Sequence, residues 1–325
     1  MGIQLNSFGF PVKRLIFSAL LLSNFFFVNL HAVIDNPQGA AAGPAKNKVI
    51  LITGASSGIG WETAKKLASH GYRVYASMRS VKSFSHSQES TAFSIELLEL
   101  DVTDDQSVDG ALSLIQEKEG RLDVLINNAG CAVFGPLETI AMVQARKTFE
   151  VNFFGVMRMM QAVLPLMREQ KAGLIINVSS TSGIRPSPGW DIYAASKYAL
   201  EGLSEAVAAM MRLWNVRVVI VEPGATATDF MTKSTEIGSR RIAKTFVYDD
   251  FLSNALSWMQ SRIRDGQPAQ EVANIMASIV ATENPPFRYQ TSLKGMQTVA
   301  SRHRDTSGES SIQEQLSLLS PLWSS

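Results

Sequence analysis

An apolar run that leads directly into a glycine-rich turn constrains the fold of this chain most. Residues Val49 to Ile52 are all apolar, as a strand that is buried on both faces requires. The turn that follows, Thr53 to Gly60, reads TGASSGIG and opens a predicted helix that ends near His70. Glycines let the backbone turn sharply and approach a ligand, and a helix N-terminus favours a pyrophosphate. The pattern predicts a dinucleotide site. The alternative is a tight loop without a ligand, because the spacing GxxxGxG departs from the standard GxGxxG.

The alternation of strand and helix continues along the chain. Further strands are predicted at Arg73 to Met78, Ile95 to Leu100, Val124 to Ile126, Leu174 to Val178, Val218 to Val221 and Phe287 to Gln290. The longest intervening helix has one apolar face, with spacings of 4, 3, 4, 3 and 4 residues between Phe149, Phe153, Val156, Met160, Val163 and Met167. This alternation predicts an α/β fold, a single Rossmann-type doubly wound parallel sheet of about seven strands flanked by helices.

Composition excludes several functional classes. The 325 residues include 30 Lys+Arg and 29 Asp+Glu without a basic run, which argues against binding to nucleic acid. Cys131 is the one cysteine, so no disulfide forms within the chain. The four histidines are scattered without the spacing of metal ligands, and we predict no metal site.

The two ends of the chain differ from its middle. Lys13 and Arg14 precede an apolar stretch over residues 15–30, which predicts a signal peptide or an N-terminal membrane anchor within residues 1–32. A buried apolar helix is the alternative. Residues 33–47 are rich in small residues and are interpreted as a linker. The folded domain is predicted to span residues 48–292, and residues 293–325 form a tail to which we assign no structure.

Four further motifs follow the glycine turn in a fixed order. They are Asp101-Val102, the segment Asn127 to Gly130 (NNAG), the segment Tyr193 to Lys197 (YAASK), and Pro223-Gly224 with Thr228. Together with the turn, they resemble the ordered motifs of the short-chain dehydrogenase/reductase family over about residues 48–292. The resemblance implies a nicotinamide dinucleotide cofactor and hydride transfer between an alcohol and its carbonyl.

Tyr193 and Lys197 are the centre of the predicted catalytic site. Four residues apart on a helix, they lie on one face, where a lysine cation lowers the pKa of a phenol. For an isolated pair with this spacing, a surface contact is the favoured interpretation, and Ser180 is the observation that overturns it. Ser180 follows a predicted strand, at the sheet edge where parallel sheets bind ligands.

The resemblance implies a role for each residue of a tetrad. Tyr193 is the general acid or base, and Ser180 binds the substrate oxygen together with Tyr193. Lys197 tunes Tyr193 and holds the nicotinamide ribose. Asn152 anchors a water relay to Lys197. Ser179 is an alternative to Ser180.

The cofactor is predicted to be NADP(H) rather than NAD(H). The second strand ends at Met78, where a fold that prefers NAD has an acidic residue for the ribose 2′-hydroxyl. Arg79 follows and can bind a 2′-phosphate through two hydrogen bonds, with further contributions from Ser57 and Lys82. The alternative is that Arg79 is a solvated loop charge. The predicted cofactor contacts are Gly54, Ser56, Ser57, Gly58, Ile59, Gly60, Arg79, Asp101, Val102, Asn128, Tyr193, Lys197, Pro223, Gly224 and Thr228.

The substrate is predicted to be a small hydrophobic alcohol or ketone. An apolar pocket is expected from Phe134, Ile184, Trp190, Phe230 and Met231, each of which is equally compatible with plain core. Residues 74–79 and 193–202 resemble the 17β-hydroxysteroid and retinol dehydrogenase branch of the family. Cys131 is interpreted as a packing residue. Core packing and subunit contact, within an implied homodimer or homotetramer, are expected of Met157, Met159, Met160, Met210 and Met211.

Two other functions compete with an oxidoreductase. One is a dinucleotide-binding regulatory or scaffold protein without turnover, which the intact tetrad disfavours. The other is a nucleotide-sugar epimerase or dehydratase, which the short region after Thr228 disfavours. The N-terminal segment points to export, whereas the cofactor points to the cytoplasm. We therefore predict an uncleaved membrane anchor, with cleavage and export as the alternative.

Overall fold

The computed structural model of the chain describes residues 48–240 and 248–319. Its strands are β1 Val49–Ile52, β2 Arg73–Met78, β3 Glu96–Glu99, β4 Val124–Asn127, β5 Ala132–Phe134, β6 Gly173–Val178, β7 Val216–Glu222, β8 Thr226–Ala227, β9 Thr235–Ile237, β10 Gln267–Pro268 and β11 Arg288–Gln290. Its α-helices are α1 Gly58–Ser69, α2 Ser87–Ala92, α3 Asp105–Glu119, α4 Met142–Phe149, α5 Gly155–Gln170, α6 Asp191–Met211, α7 Phe230–Lys233, α8 Asp249–Arg264, α9 Ala269–Ala281, α10 Leu293–Arg304 and α11 Glu309–Leu319.

Seven strands form one parallel sheet in the order β11-β7-β6-β4-β1-β2-β3. Strand β1 lies at the point where the strand order reverses, with Leu51 level with Tyr75 of β2 and Leu125 of β4. Sheets of this kind bind their ligands outside the carboxyl ends of the strands beside that point. The predicted doubly wound α/β fold of about seven strands is confirmed.

The apolar run in β1 is continuous because helices cover both faces of the sheet. Ile50 and Ile52 belong to the core beneath α1 and α9, whereas Val49 and Leu51 belong to the core beneath α3, α5 and α6. All four side chains are at most 2% exposed, and each buried aliphatic side chain stabilises the fold by about 1.5–3 kcal/mol. Among the methionines of α5 and α6, the buried ones are Met159, Met160, Met167 and Met211.

The structure describes most of the predicted tail but not the predicted N-terminal segments. The predicted signal or anchor and the linker lie outside the described residues. The tail, to which the sequence assigned no structure, contains α10 and α11. Ser292 caps α10 by accepting a hydrogen bond from the Gly295 N–H, and Glu314 of α11 forms an ion pair with Arg185. No helix within residues 48–240 or 248–319 combines the length and the hydropathy needed to cross a membrane.

Thr53 is the residue after β1, and it holds the segment that follows β4 at the carboxyl ends of these two strands. Its buried hydroxyl oxygen accepts hydrogen bonds of 3.0 Å from the backbone N–H groups of Asn128 and Ala129. The Asn128 side-chain amide donates in return to the carbonyls of Thr53 and Gly54, at 3.0 and 2.9 Å. These bonds fix the segment after β4 against the glycine turn.

We expect Thr53→Val to lower the free energy of unfolding by about 1–3 kcal/mol, because it leaves two backbone donors without an acceptor. Thr53→Ser keeps the oxygen and should stay close to the wild type. Urea denaturation of the three proteins measures the difference. Equal stabilities for the valine and serine variants would contradict this role of the hydroxyl group.

Candidate active site

The glycine turn is closed by direct packing against the segment after β4. Gly54 adopts a φ of +64°, and a Cβ atom there would lie 2.6 Å from the Ala129 Cα. A Cβ atom on Gly60 would lie 2.5 Å from the Asn128 side-chain nitrogen. Contacts shorter than 3 Å do not occur between real atoms of these kinds, so both positions require glycine.

The N-terminus of α1 offers its backbone N–H groups to a ligand. Ser57 precedes the helix, but its side chain makes no capping hydrogen bond, and the first turn contains no acidic residue. In α3, by contrast, the Asp104 side chain accepts a hydrogen bond from the Gln106 N–H. Uncapped N–H groups at a helix N-terminus bind anions, so the turn fits the pyrophosphate of a dinucleotide.

The adenosine side of the predicted cofactor site is formed by the ends of β2 and β3. Met78 is the last residue of β2 and is buried, whereas Arg79 beyond it is exposed and forms no ion pair within residues 48–240 and 248–319. Asp101 follows β3, and its carboxylate accepts hydrogen bonds from the N–H and hydroxyl groups of Thr103 at 2.9 and 2.7 Å. Val102 is buried. All four residues therefore lie at the carboxyl edge of the sheet.

Thr228 and the Pro223-Gly224 segment approach the same edge from the other side. Pro223 follows β7, and its carbonyl accepts a 3.0 Å hydrogen bond from the Thr181 N–H. The Thr228 methyl group lies 3.2 Å from the position that a Cβ atom on Gly58 would occupy. Thr228 therefore lies against the glycine turn, whereas the Pro223 carbonyl binds the turn that follows Ser180.

Ser180, Tyr193 and Lys197 meet beyond the end of β6. Ser180 precedes the short 3-10 turn Thr181–Gly183 and lies close enough to Tyr193, in the first turn of α6, to lower the pKa of its phenol. Lys197 lies one turn further along α6 and is 5% exposed. Its Nζ donates a 2.9 Å hydrogen bond to the Val178 carbonyl and lies 5.7 Å from the centroid of the Tyr193 ring.

Burial controls the ionisation of both groups. It raises the pKa of Tyr193 to about 12, against the hydrogen bond with Ser180, which lowers it. The prediction that the pKa of Tyr193 is lowered is therefore wrong for this structure, because loss of hydration outweighs the favourable contacts. Burial also lowers the pKa of Lys197 to about 8, against Cys131 and Glu201, which raise it.

Asn152 lies in a single π-helical turn, Glu150–Phe154, between α4 and α5. Its fully buried amide accepts a 2.9 Å hydrogen bond from the Cys131 N–H and donates to the Cys131 carbonyl at 2.8 Å and to the Ser196 hydroxyl at 2.9 Å. Asn152 therefore ties the segment after β4 to α6, the helix that carries Tyr193 and Lys197. The water relay to Lys197 stays a prediction.

Aromatic rings extend outward from Tyr193. The ring centroids are 5.4 Å apart for Trp190 and Tyr193, 5.5 Å for Phe134 and Trp190, and 6.0 Å for Tyr193 and Phe230. Met231 and Trp190 pack with Phe134 in an apolar cluster that also contains the buried face of α8. Four of these residues, Phe134, Trp190, Phe230 and Met231, are ones that the sequence predicted for the pocket. The buried face of α8 was absent from the sequence predictions, although the apolar periodicity of that helix is a signal that could have found it.

Ile184 lies apart from this aromatic cluster. It borders a shallow cavity of about 250 Å³, together with Tyr198, Arg302, His303, Asp305 and Thr306. Two of these lining residues belong to α10, for which the sequence predicted no structure. Ile184 is therefore placed against the C-terminal region rather than among the rings beside Tyr193.

Comparison with known proteins agrees with this arrangement. Residues 48–237 match the sequence model of the short chain dehydrogenase family. A 3-ketodihydrosphingosine reductase of Bacteroides thetaiotaomicron is 38% identical over 241 residues, which cover 74% of this chain and 86% of that protein. Retinol dehydrogenase 8 of Bos taurus is 33% identical over 275 residues, which cover 80% of this chain and 86% of that protein.

The fold shows the same relationship. The crystal structure of a short-chain dehydrogenase from Streptomyces avermitilis matches with a TM-score of 0.73 and 29% identity, covering 84% of this chain and 98% of that one. Members of this family bind a nicotinamide dinucleotide and act on alcohol or ketone groups. From its sequence and from its fold, the chain belongs to the short-chain dehydrogenase/reductase family of oxidoreductases.

Proposed function

We propose that the protein is an NADP(H)-dependent oxidoreductase that interconverts a hydrophobic alcohol and its carbonyl compound, with Tyr193 as the general acid or base. The observation that carries the proposal is the meeting of Ser180, Tyr193 and Lys197 beyond β6, at the sheet edge that also holds the glycine turn. A regulatory protein without turnover would not need this arrangement.

The protonation states support carbonyl reduction near pH 7. When bound, the nicotinamide dinucleotide supplies the hydride. Tyr193, with a pKa of about 12, keeps its phenolic proton and is in the form that donates to a carbonyl oxygen. The Ser180 hydroxyl, which lies near Tyr193, stabilises negative charge that develops on the same oxygen. The Lys197 cation near the ring offsets the charge that the phenol acquires when it gives up its proton.

The aromatic wall supports a hydrophobic substrate. Phe134, Trp190 and Phe230 continue from the Tyr193 ring, and the buried face of α8 backs them with apolar side chains. Apolar surface of this kind binds substrates by removing their hydrocarbon parts from water. The relatives named for 3-ketodihydrosphingosine and for retinol act on apolar lipids, which agrees with this proposal.

The end of β2 supports NADP(H) as the cofactor. A buried methionine, Met78, stands where a carboxylate would bind the 2′-hydroxyl, and the exposed guanidinium of Arg79 is available for a 2′-phosphate. With Arg79 as the one well-placed cation within residues 48–240 and 248–319, the preference for NADP(H) is modest.

We expect Tyr193→Phe to lower the turnover number at least ~10²-fold, because it removes the proton donor and leaves the ring in place. NADPH binding, measured by fluorescence, should be largely kept. NADPH oxidation across a panel of steroids, retinoids and aliphatic carbonyls provides the assay.

The matched control is Tyr198→Phe, on the same helix, whose hydroxyl donates to the Ile184 carbonyl and lies outside the catalytic group. Turnover like that of the wild type in the Tyr193 variant would remove this residue from the mechanism. Tight NADPH binding by a wild-type protein that reduces no compound of the panel would favour the regulatory alternative.

We expect Met78→Asp to reverse the cofactor preference, because a carboxylate there repels a 2′-phosphate and accepts a hydrogen bond from a 2′-hydroxyl. The ratio of kcat/KM for NADPH to that for NADH, measured in both proteins, tests the reversal. Met78→Leu, which keeps an apolar side chain, serves as the control. A wild-type ratio of one or below would refute the assignment of NADP(H).

A further inference from the structure

Glu201 is a buried carboxyl group on the catalytic helix for which the mechanism above has no use. It lies one helical turn beyond Lys197 and is 5% exposed. One of its oxygens accepts a hydrogen bond from Arg288 of β11. Its other oxygen, Oε1, and the nearby Ser179 hydroxyl have no hydrogen-bond partner in the described parts of the chain. Both atoms lie within 3.3 Å of the position that a Cβ atom on Gly183 would occupy.

Three carboxyl groups surround Arg288, which is more negative charge than one cation can balance. Besides Glu201, its guanidinium donates to Glu222 at 3.0 Å and to Glu205 at 2.8 Å. Glu222 is fully buried, and its second oxygen accepts a 2.8 Å hydrogen bond from Gln290. Glu205, by contrast, has a side chain that is 68% exposed and hydrated. Two buried carboxyl groups thus share one guanidinium, which favours a proton on one of them.

The hydrogen bonds indicate that Glu201 is the one of the two that takes up a proton as the pH falls. Both oxygens of Glu222 already accept a hydrogen bond, whereas Oε1 of Glu201 accepts none. With a proton on that oxygen, Glu201 can donate a hydrogen bond to the Ser179 hydroxyl oxygen beside it. In agreement, burial raises the pKa of Glu201 to about 7, with Ser179 acting against it and Glu222 adding to it.

This cluster adjoins the segments that carry Ser180, Tyr193 and Lys197. Ser179 directly precedes Ser180, and Glu222 directly precedes Pro223. Glu201 shares α6 with Tyr193 and Lys197. Side chains four residues apart on a helix have Cβ atoms about 5–6 Å apart, so the charge of Glu201 acts on Lys197 at short range.

We propose that Glu201 is a positioning residue that sets the charge of Lys197, with its ionised carboxylate holding the lysine in the cationic form. The inference rests on the proposed function, in which Lys197 acts as a cation beside Tyr193. The ionisable groups around Glu201 are Glu222, Arg288 and, one turn away on α6, Lys197, and Glu205 shares the same arginine. Cys131 is the other group that raises the pKa of Lys197, and burial raises the pKa of its own thiol.

The order of the two ionisations gives the sign of the effect. Glu201 loses its proton at about pH 7, before Lys197 loses its own at about pH 8. Over the range in which Lys197 titrates, Glu201 is therefore negative and raises the pKa of the lysine. Without that negative charge, burial lowers the pKa of Lys197 further, and the lysine becomes neutral at a lower pH.

Glu201→Gln tests the proposal, because it removes the charge and keeps the size of the side chain and an acceptor for Arg288. Glu205→Gln is the matched control, since it removes an exposed carboxylate from the same arginine. The full chain is labelled with [ε-¹³C]lysine and titrated by NMR, and the Lys197 signal is identified by its absence in Lys197→Met. We expect the Lys197 midpoint to fall by roughly half a pH unit or more in Glu201→Gln and to stay unchanged in Glu205→Gln.

The wild-type protein provides a second test that does not depend on folding of the variant. Its Lys197 signal should show a smaller inflection near pH 7, when Glu201 ionises, before the main transition near pH 8. A single transition in the wild type, or an unchanged midpoint in folded Glu201→Gln, overturns the proposal. Neither measurement needs a substrate, so a failure of the carbonyl panel would refute the proposed function without altering this result.

Discussion

Burial of the central sheet on both faces is the constraint on which the rest of the structure depends. Because helices cover both faces, the carboxyl edge of the sheet is left as the place where polar side chains from several strands can converge. The glycine turn follows β1, the segment with Asn128 follows β4, and Ser180 follows β6. The catalytic helix α6 then runs back along the sheet and brings Tyr193 and Lys197 to the same edge.

The same burial fixes the electrostatics of the site. Loss of hydration disfavours charge on each ionisable group, so the pKa of Tyr193 rises and that of Lys197 falls. A buried lysine cation is retained only where negative groups compensate for its lost hydration. Glu201 lies one helical turn from Lys197 and supplies this negative charge. Its carboxylate is in turn stabilised by Arg288 from the edge strand β11. The protonation of the site thus depends on side chains from separate parts of the sequence.

Much of the fold was predictable because its signals are local. Each apolar run that forms a central strand is a short, continuous stretch of sequence. The motif around Tyr193 likewise places two side chains on one helical face without any tertiary information. The direction of the Tyr193 pKa shift was not predictable, since it depends on how deeply neighbouring elements bury the ring. Ile184 was misplaced for a similar reason, because its neighbours belong to α10, whose polar sequence has no strong periodic signal. The burial of Glu201 against Arg288 joins residues far apart in sequence and leaves no local pattern.

The contact between α11 and Arg185 has a consequence for how the carboxyl end of the chain can vary. Arg185 lies in the loop that connects Ser180 to Tyr193, and it binds Glu314 at 2.8 Å and the Ser311 hydroxyl at 3.4 Å. The last described helix is therefore a support for the loop between Ser180 and Tyr193. A change of sequence or an added peptide at this end acts on that loop, which also carries Trp190.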